Sequence, residues 1–165
     1  MGAGDHARDD DIPLAERLGE LLARAGFVVL TGGRDAGVMA AATRGAKKIS
    51  GSLTVGILPG NGGAVAPGLD VAIFSGMGHS RNALNVLSSD VVIAVGEGGP
   101  GTASEIAIAL KTKKPVVLLS PTRAAEAFFR SLDPDVLVAA TPEEAVELVR
   151  GRVAPPPYVR EGTGT

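Results

Sequence analysis

The chain has 165 residues, 45 % of them hydrophobic and 21 % charged, which is enough to bury a core and excludes a disordered polypeptide. Its 16 basic and 18 acidic residues sum to −2, and aromatics are only 3 %, so it has neither the charge nor the stacking rings of a nucleic-acid binder. No cysteine means no disulfide, thiolate metal site or cysteine nucleophile, which fits a cytoplasmic protein; no apolar run reaches the roughly 18 residues of a membrane span, and the acidic start MGAGDHARDDD is no secretory signal.

In chain order, Asp11-Ile12-Pro13 opens a helix, since proline is tolerated in a first turn. Leu14, Leu18, Leu21 and Leu22 share one face, and Gly26 closes the helix. Residues 27–30 read as a buried strand, residues 36–48 as an alanine-rich helix and residues 53–58 as a second strand. A loop of glycine, proline and small residues fills 59–67. Then follow a strand at 71–74, a helix at 80–88, a strand at 91–95, a helix at 102–112 and a strand at 116–119. Residues 122–132 read as a helix and 136–138 as a short edge strand. Thr141-Pro142-Glu143-Glu144 starts the last helix, with Thr141 capping and Glu144 reaching back, and that helix runs to about Arg150.

Short apolar strands alternating with helices predict an α/β fold, a doubly wound parallel sheet with helices on both faces, in a single domain over residues 1–150. The tail 151–165, with Pro155-Pro156-Pro157, is expected to be loosely held. Such a fold normally opens with a strand, and residues 1–12 contain none. Met1-Gly2-Ala3-Gly4 reads as the end of a strand and its glycine turn, so the first strand is expected to be missing.

Ligands of such folds sit beyond the carboxyl ends of the strands, where loop N–H groups and helix N-termini favour anions. Three loops have that position. The first runs from Thr31 to Met39 and offers Gly32, Gly33, Arg34, Gly37 and Met39 as ligand-binding residues. The same residues also read as a tight turn with Met39 in the core. The second, Gly96 to Thr102, places Gly98, Gly99, Gly101 and the Thr102 hydroxyl where they would hold a phosphate. Thr102-x-x-Glu105 equally reads as a capping box. The third, Gly76 to Asn82, puts Arg81 in the first turn of a helix, against the helix dipole, which points to an anionic ligand or a carboxylate such as Glu105; the residue equally reads as a solvent-exposed arginine. With only two histidines, one of them in the acidic leader, no metal site is expected.

These loops in this order resemble a Rossmann-like family formerly labelled lysine decarboxylases, which includes the Lonely Guy cytokinin-activating enzymes and the molybdenum cofactor carrier proteins. The resemblance spans roughly residues 13–150. Gly32-Gly33 through Gly37-Val38-Met39 is similar to the family's first glycine loop. Gly98-Gly99-Pro100-Gly101-Thr102-Ala103-Ser104-Glu105 resembles its PGGxGTxxE signature, with Glu97 in place of the proline, and His79-Ser80-Arg81 resembles its H-x-R segment. The Lonely Guy motifs carry a lysine after that arginine and a second glutamate after the first; here the positions hold Asn82 and Ile106.

The resemblance therefore implies a carrier-like protein that binds a phosphorylated nucleotide or a pterin-type cofactor, with a nucleoside monophosphate or molybdenum cofactor as ligand and no cofactor required. The alternative is a phosphoribohydrolase cleaving the N-glycosidic bond of nucleoside 5′-monophosphates, with Arg81 and Glu105 catalytic. No lysine has a setting for a Schiff base, so lysine decarboxylation is not expected. The helix around Ile106-Ala107-Ile108-Ala109-Leu110 is apolar on every side, and residues 36–46 hold one charge, Arg44. These two helices are expected to form a homodimer interface, or a higher homo-oligomer.

Overall fold

The structure, a computed structural model, describes residues 1–96 and 98–153; Glu97 and nearly all of the expected loose tail lie outside the described residues. The apolar runs form six short strands: β1 (Val29–Thr31), β2 (Thr54–Leu58), β3 (Val71–Phe74), β4 (Val92–Val95), β5 (Val116–Leu119) and β6 (Leu137–Ala139). The helices between them are α1 (Asp11–Arg24), α2 (Gly37–Ala46), α3 (Arg81–Leu87), α4 (Pro100–Lys111), α5 (Arg123–Leu132) and α6 (Pro142–Arg150). The last helix starts as its sequence dictates. Thr141 Oγ1 accepts from the Glu144 N–H, and the Glu144 carboxylate accepts from the Ala140 N–H.

The named strands pair in parallel and make two three-stranded sheets, β1-β2-β3 and β4-β5-β6. Helices cover both faces, and the period of two in the strands divides the core between them. Ile93, Val95, Val117 and Leu119 pack with α1 and α6 through Ala15, Leu18, Val146 and Val149. Val92, Ala94, Val116 and Leu118 pack on the other face with Val86, Ile106, Ala109 and Phe129.

Two expectations are corrected here. α2 was to need a second subunit to cover its uncharged surface, but α1 of the same chain covers it. Gly19 lies against the Ala42 backbone and Gly45 against the Glu16 backbone, so the helices meet main chain to main chain. Arg44 and Lys48 then reach across to Glu16. The helix expected from Thr102 begins two residues earlier, at Pro100, with Gly99 as its N-cap. Thr102 is thus inside the helix and is not a cap.

The two sheets do not pair with one another. Between β1 and β4 lies the amino-terminal segment, in which Met1 runs parallel to β4. Its amino group donates to the Ile93 carbonyl at 2.5 Å, and the Val95 N–H donates to the Met1 carbonyl at 3.0 Å. The Ala3 carbonyl accepts from the Val38 N–H at 3.0 Å at the start of α2, and the chain then turns at residues 4–6, where the Ala7 N–H donates to the Gly4 carbonyl.

Candidate functional site

Because every strand is parallel, the three glycine loops collect at one end of the sheets. They open into a cavity of about 1620 Å³. Of the residues expected to bind ligand, Gly32, Arg34, Met39, Gly98, Gly99, Gly101 and Thr102 line it, and so do Arg81 and Glu105. Gly33 and Gly37 do not. Gly33 has a φ of 71° and sits against Gly56 and Leu58, so it shapes the turn. The space beside Gly37, with φ of 48°, is taken by the carbonyls of Ala3 and Gly4, so the close approach it permits is that of the chain's own amino-terminal loop.

The centre of the site is polar and largely shielded from solvent. Arg81 and Glu105 side chains are 11 % and 7 % exposed, and the guanidinium Nη1 stands 3.6 Å from Glu105 Oε1. The capping-box reading of Glu105 is corrected: Oε1 accepts from Asn85 Nδ2 at 2.9 Å and faces Arg81 instead of turning back along α4. The arginine Nη1 also donates to Asn82 Oδ1 at 3.0 Å, and Asn82 Nδ2 donates to Ser104 Oγ at 2.9 Å. Asn82 therefore ties α3 to the first turn of α4. Burial pushes the Arg81 guanidinium below its ordinary pKa, with Glu105 opposing that shift and Arg34 adding to it.

The glycines fit around this arginine. A Cβ on Gly32 would come within 2.7 Å of Arg81 Nη2 and of Met39 Sδ. Gly98, with φ of 65°, packs on Thr102, where a Cβ would lie 2.5 Å from the threonine Cβ. In the first turn of α4, the Ala103 N–H is bonded to Gly99, while Gly101 and Thr102 occupy positions whose N–H groups have no partner within a helix. Gly101, Thr102 and Arg81 line the same cavity. Two polar atoms near it, Arg81 Nε and Asn85 Oδ1, are buried without a hydrogen-bond partner.

Sequence reasoning missed Asn82 and Asn85 as site builders, and Asp11. Asp11 is 1 % exposed, paired with Arg8 at 3.0 Å, and its carboxylate lies against Gly96 at the root of the second loop. The signal in sequence was an Asn-x-x-Asn spacing on α3 that faces one neighbour helix. Among the described residues, no three His, Asp or Glu side chains cluster as metal ligands.

Residues 1–146 match the SLOG cluster4 family. The chain belongs to that family. An uncharacterized protein of Archaeoglobus fulgidus is 44 % identical to this SLOG cluster4 member over 146 residues, 88 % of this chain and 89 % of the relative. Its fold is similar to that of the molybdenum cofactor binding protein of Rippkaea orientalis, with a TM-score of 0.88 and 47 % identity over 92 % of this chain and 93 % of that one. It is also similar to the Moco carrier protein of Chlamydomonas reinhardtii, with a TM-score of 0.85 and 45 % identity over 92 % and 93 % of the two chains. The expected Rossmann-like architecture is thereby established. No helix among the described residues is long and apolar enough to cross a membrane.

Proposed function

We propose that this SLOG cluster4 protein is a carrier that holds molybdenum cofactor, a pterin bearing a phosphate, in the cavity between its glycine loops. The observation that carries the reading is the buried Arg81 guanidinium, whose Nε lacks a partner, set beside the Gly101 and Thr102 donors in one cavity. A phosphate supplies the acceptors those groups need. The chain has no cysteine, so recognition falls on the phosphate and pterin, and the metal is cargo. The similarity to proteins named for binding molybdenum cofactor supports this ligand over others of the same chemistry.

Asn82 and Ile106 support carriage over hydrolysis. The lysine and second glutamate of the Lonely Guy motifs are replaced by a side chain that ties two helices together and by a core residue that is 2 % exposed. The test has two arms. Molybdenum cofactor released from a molybdoenzyme is incubated with the protein and recovered by gel filtration. In parallel, adenosine monophosphate is incubated and assayed for free base and ribose 5-phosphate. Co-elution without hydrolysis supports the carrier; base release with turnover replaces it with the phosphoribohydrolase, Arg81 and Glu105 then being catalytic.

A further inference from the structure

The Arg81 guanidinium is held from one side only. Its Nη1 donates to Asn82 Oδ1 at 3.0 Å and stands 3.6 Å from Glu105 Oε1. Nε is buried without a partner, and Nη2 has none among the described residues. A Cβ on Gly32 would come within 2.7 Å of both Nη2 and Met39 Sδ, so Nη2 lies among residues that line the cavity. In a guanidinium the Nε hydrogen and one Nη2 hydrogen point the same way, and that edge can take two oxygens of one phosphate or carboxylate.

The direction of the Asn82 amide decides which edge is engaged. Its Nδ2 donates to Ser104 Oγ at 2.9 Å and, more weakly, to the Gly101 carbonyl at 3.4 Å. Ser104 Oγ in turn donates to the same Gly101 carbonyl at 2.7 Å. Its one hydrogen is thereby spent, so towards Asn82 the hydroxyl can only accept. A reversed amide would set Oδ1 against two acceptors and Nδ2 against a cation. The chain Ser104–Asn82 therefore fixes Oδ1 on Nη1.

We propose that Asn82 and Ser104 are positioning residues, which hold Arg81 by Nη1 so that its Nε–Nη2 edge is left as a two-pronged fork for an oxyanion at the first turn of α4. The identity of the oxyanion as a phosphate rests on the carrier reading above; the posture of the arginine does not. Without the Asn82 oxygen, the remaining anchor is Glu105 at 3.6 Å, and a single contact of that length leaves the guanidinium plane able to turn about it. Both positioning residues sit on the two helices that carry the site, α3 and α4, so the link also fixes the arginine relative to the Gly101 and Thr102 N–H groups.

The experiment titrates inorganic phosphate by calorimetry into the full chain, Ser104→Ala, Ser104→Thr, Asn82→Ala and the Asn82→Ala/Ser104→Ala pair. The Arg81 Nη signals, identified by their loss in Arg81→Lys, are recorded by NMR without phosphate. Alanine is a good helix former, so Ser104→Ala keeps α4, and urea midpoints check it. Ser104→Ala is expected to weaken phosphate binding by about three- to tenfold, the worth of one neutral hydrogen bond, while Ser104→Thr, which keeps the hydroxyl, matches the parent. In the Asn82→Ala background the loss of Ser104 adds nothing, because it acts through Asn82. Slow rotation about Nε–Cζ is expected to give separate Nη signals in the parent and in Ser104→Thr, and merged ones in Ser104→Ala. An equal loss of affinity in both backgrounds would mean that Ser104 touches the phosphate itself and overturns the proposal. Merged signals in the parent, or the same signals in parent and Ser104→Ala, overturn it too. If the parent binds no phosphate, the carrier reading fails on its phosphate, and the Nη signals alone decide how Arg81 is held.

Discussion

Glu105→Gln separates the two readings of this glutamate by magnitude. As a capping residue, glutamate is replaced by glutamine at almost no cost, since both serve. In the structure its carboxylate is a counter-charge. At 3.6 Å, two unit charges attract by about 4–5 kcal/mol at an effective dielectric constant of roughly 20. Glutamine keeps the acceptor for Asn85 Nδ2 and the shape, but it leaves the Arg81 cation buried without an opposite charge. Breaking buried pairs in this way costs about 3–5 kcal/mol, and the retained hydrogen bond brings the expectation to about 2–4 kcal/mol. Urea unfolding measures it. Arg81→Met combined with Glu105→Gln is expected to recover part of the loss, because the uncompensated charge has gone, and the cycle yields the coupling directly. Inorganic phosphate should restabilise Glu105→Gln more than the parent protein, since the guanidinium then has no competing carboxylate. A loss of less than about 0.5 kcal/mol, within the range of an ordinary surface substitution, would refute the argument.

Stability should rise as pH climbs towards 8, because burial holds the Met1 amino group below its usual value near 8 in the folded state. The folded state then resists protonation, so the penalty is complete below the folded pKa and disappears above the unfolded one. Burial lowers that pKa and Glu105 opposes it; an Nα-acetylated protein should lose this pH dependence of its urea midpoint. Asp70 is held below the usual carboxylate range by Lys47 first and by Thr54 next, so its contribution is lost as pH falls through the folded value, and Asp70→Asn should flatten the acid limb of the same titration. Gly45→Ala should cost about 2–3 kcal/mol, because its methyl group meets the Glu16 backbone and α1 must move, which thermal denaturation reads. Self-association, with α2 already covered by α1, is expected to use α4, whose Ala107 is exposed; light scattering giving a monomer at micromolar concentration would count against it.

The sequence by itself determined the order and type of the elements and the place of the three loops. Strands such as Val116–Leu119 are short apolar runs bounded by breakers, and parallel strands put the loops after them at one end whatever else happens. It also marked Arg81 as a cation set against the helix dipole, with an anionic ligand, Glu105 or solvent as its counterpart. The tertiary structure decided among these in favour of Glu105, and decided what that glutamate gives up. Thr102-x-x-Glu105 is a capping box by local chemistry, yet Pro100 starts the helix earlier, and Asn85 and Arg81 claim the carboxylate from another helix. It likewise decided that α2 is covered within the chain, since the fit of Gly19 on Ala42 and Gly45 on Glu16 is a match of shapes between two helices and leaves no period in either. Local pattern reports what a segment can become; which of two competing hydrogen bonds or surfaces wins depends on neighbours that are distant in sequence, and only the packed chain brings them together.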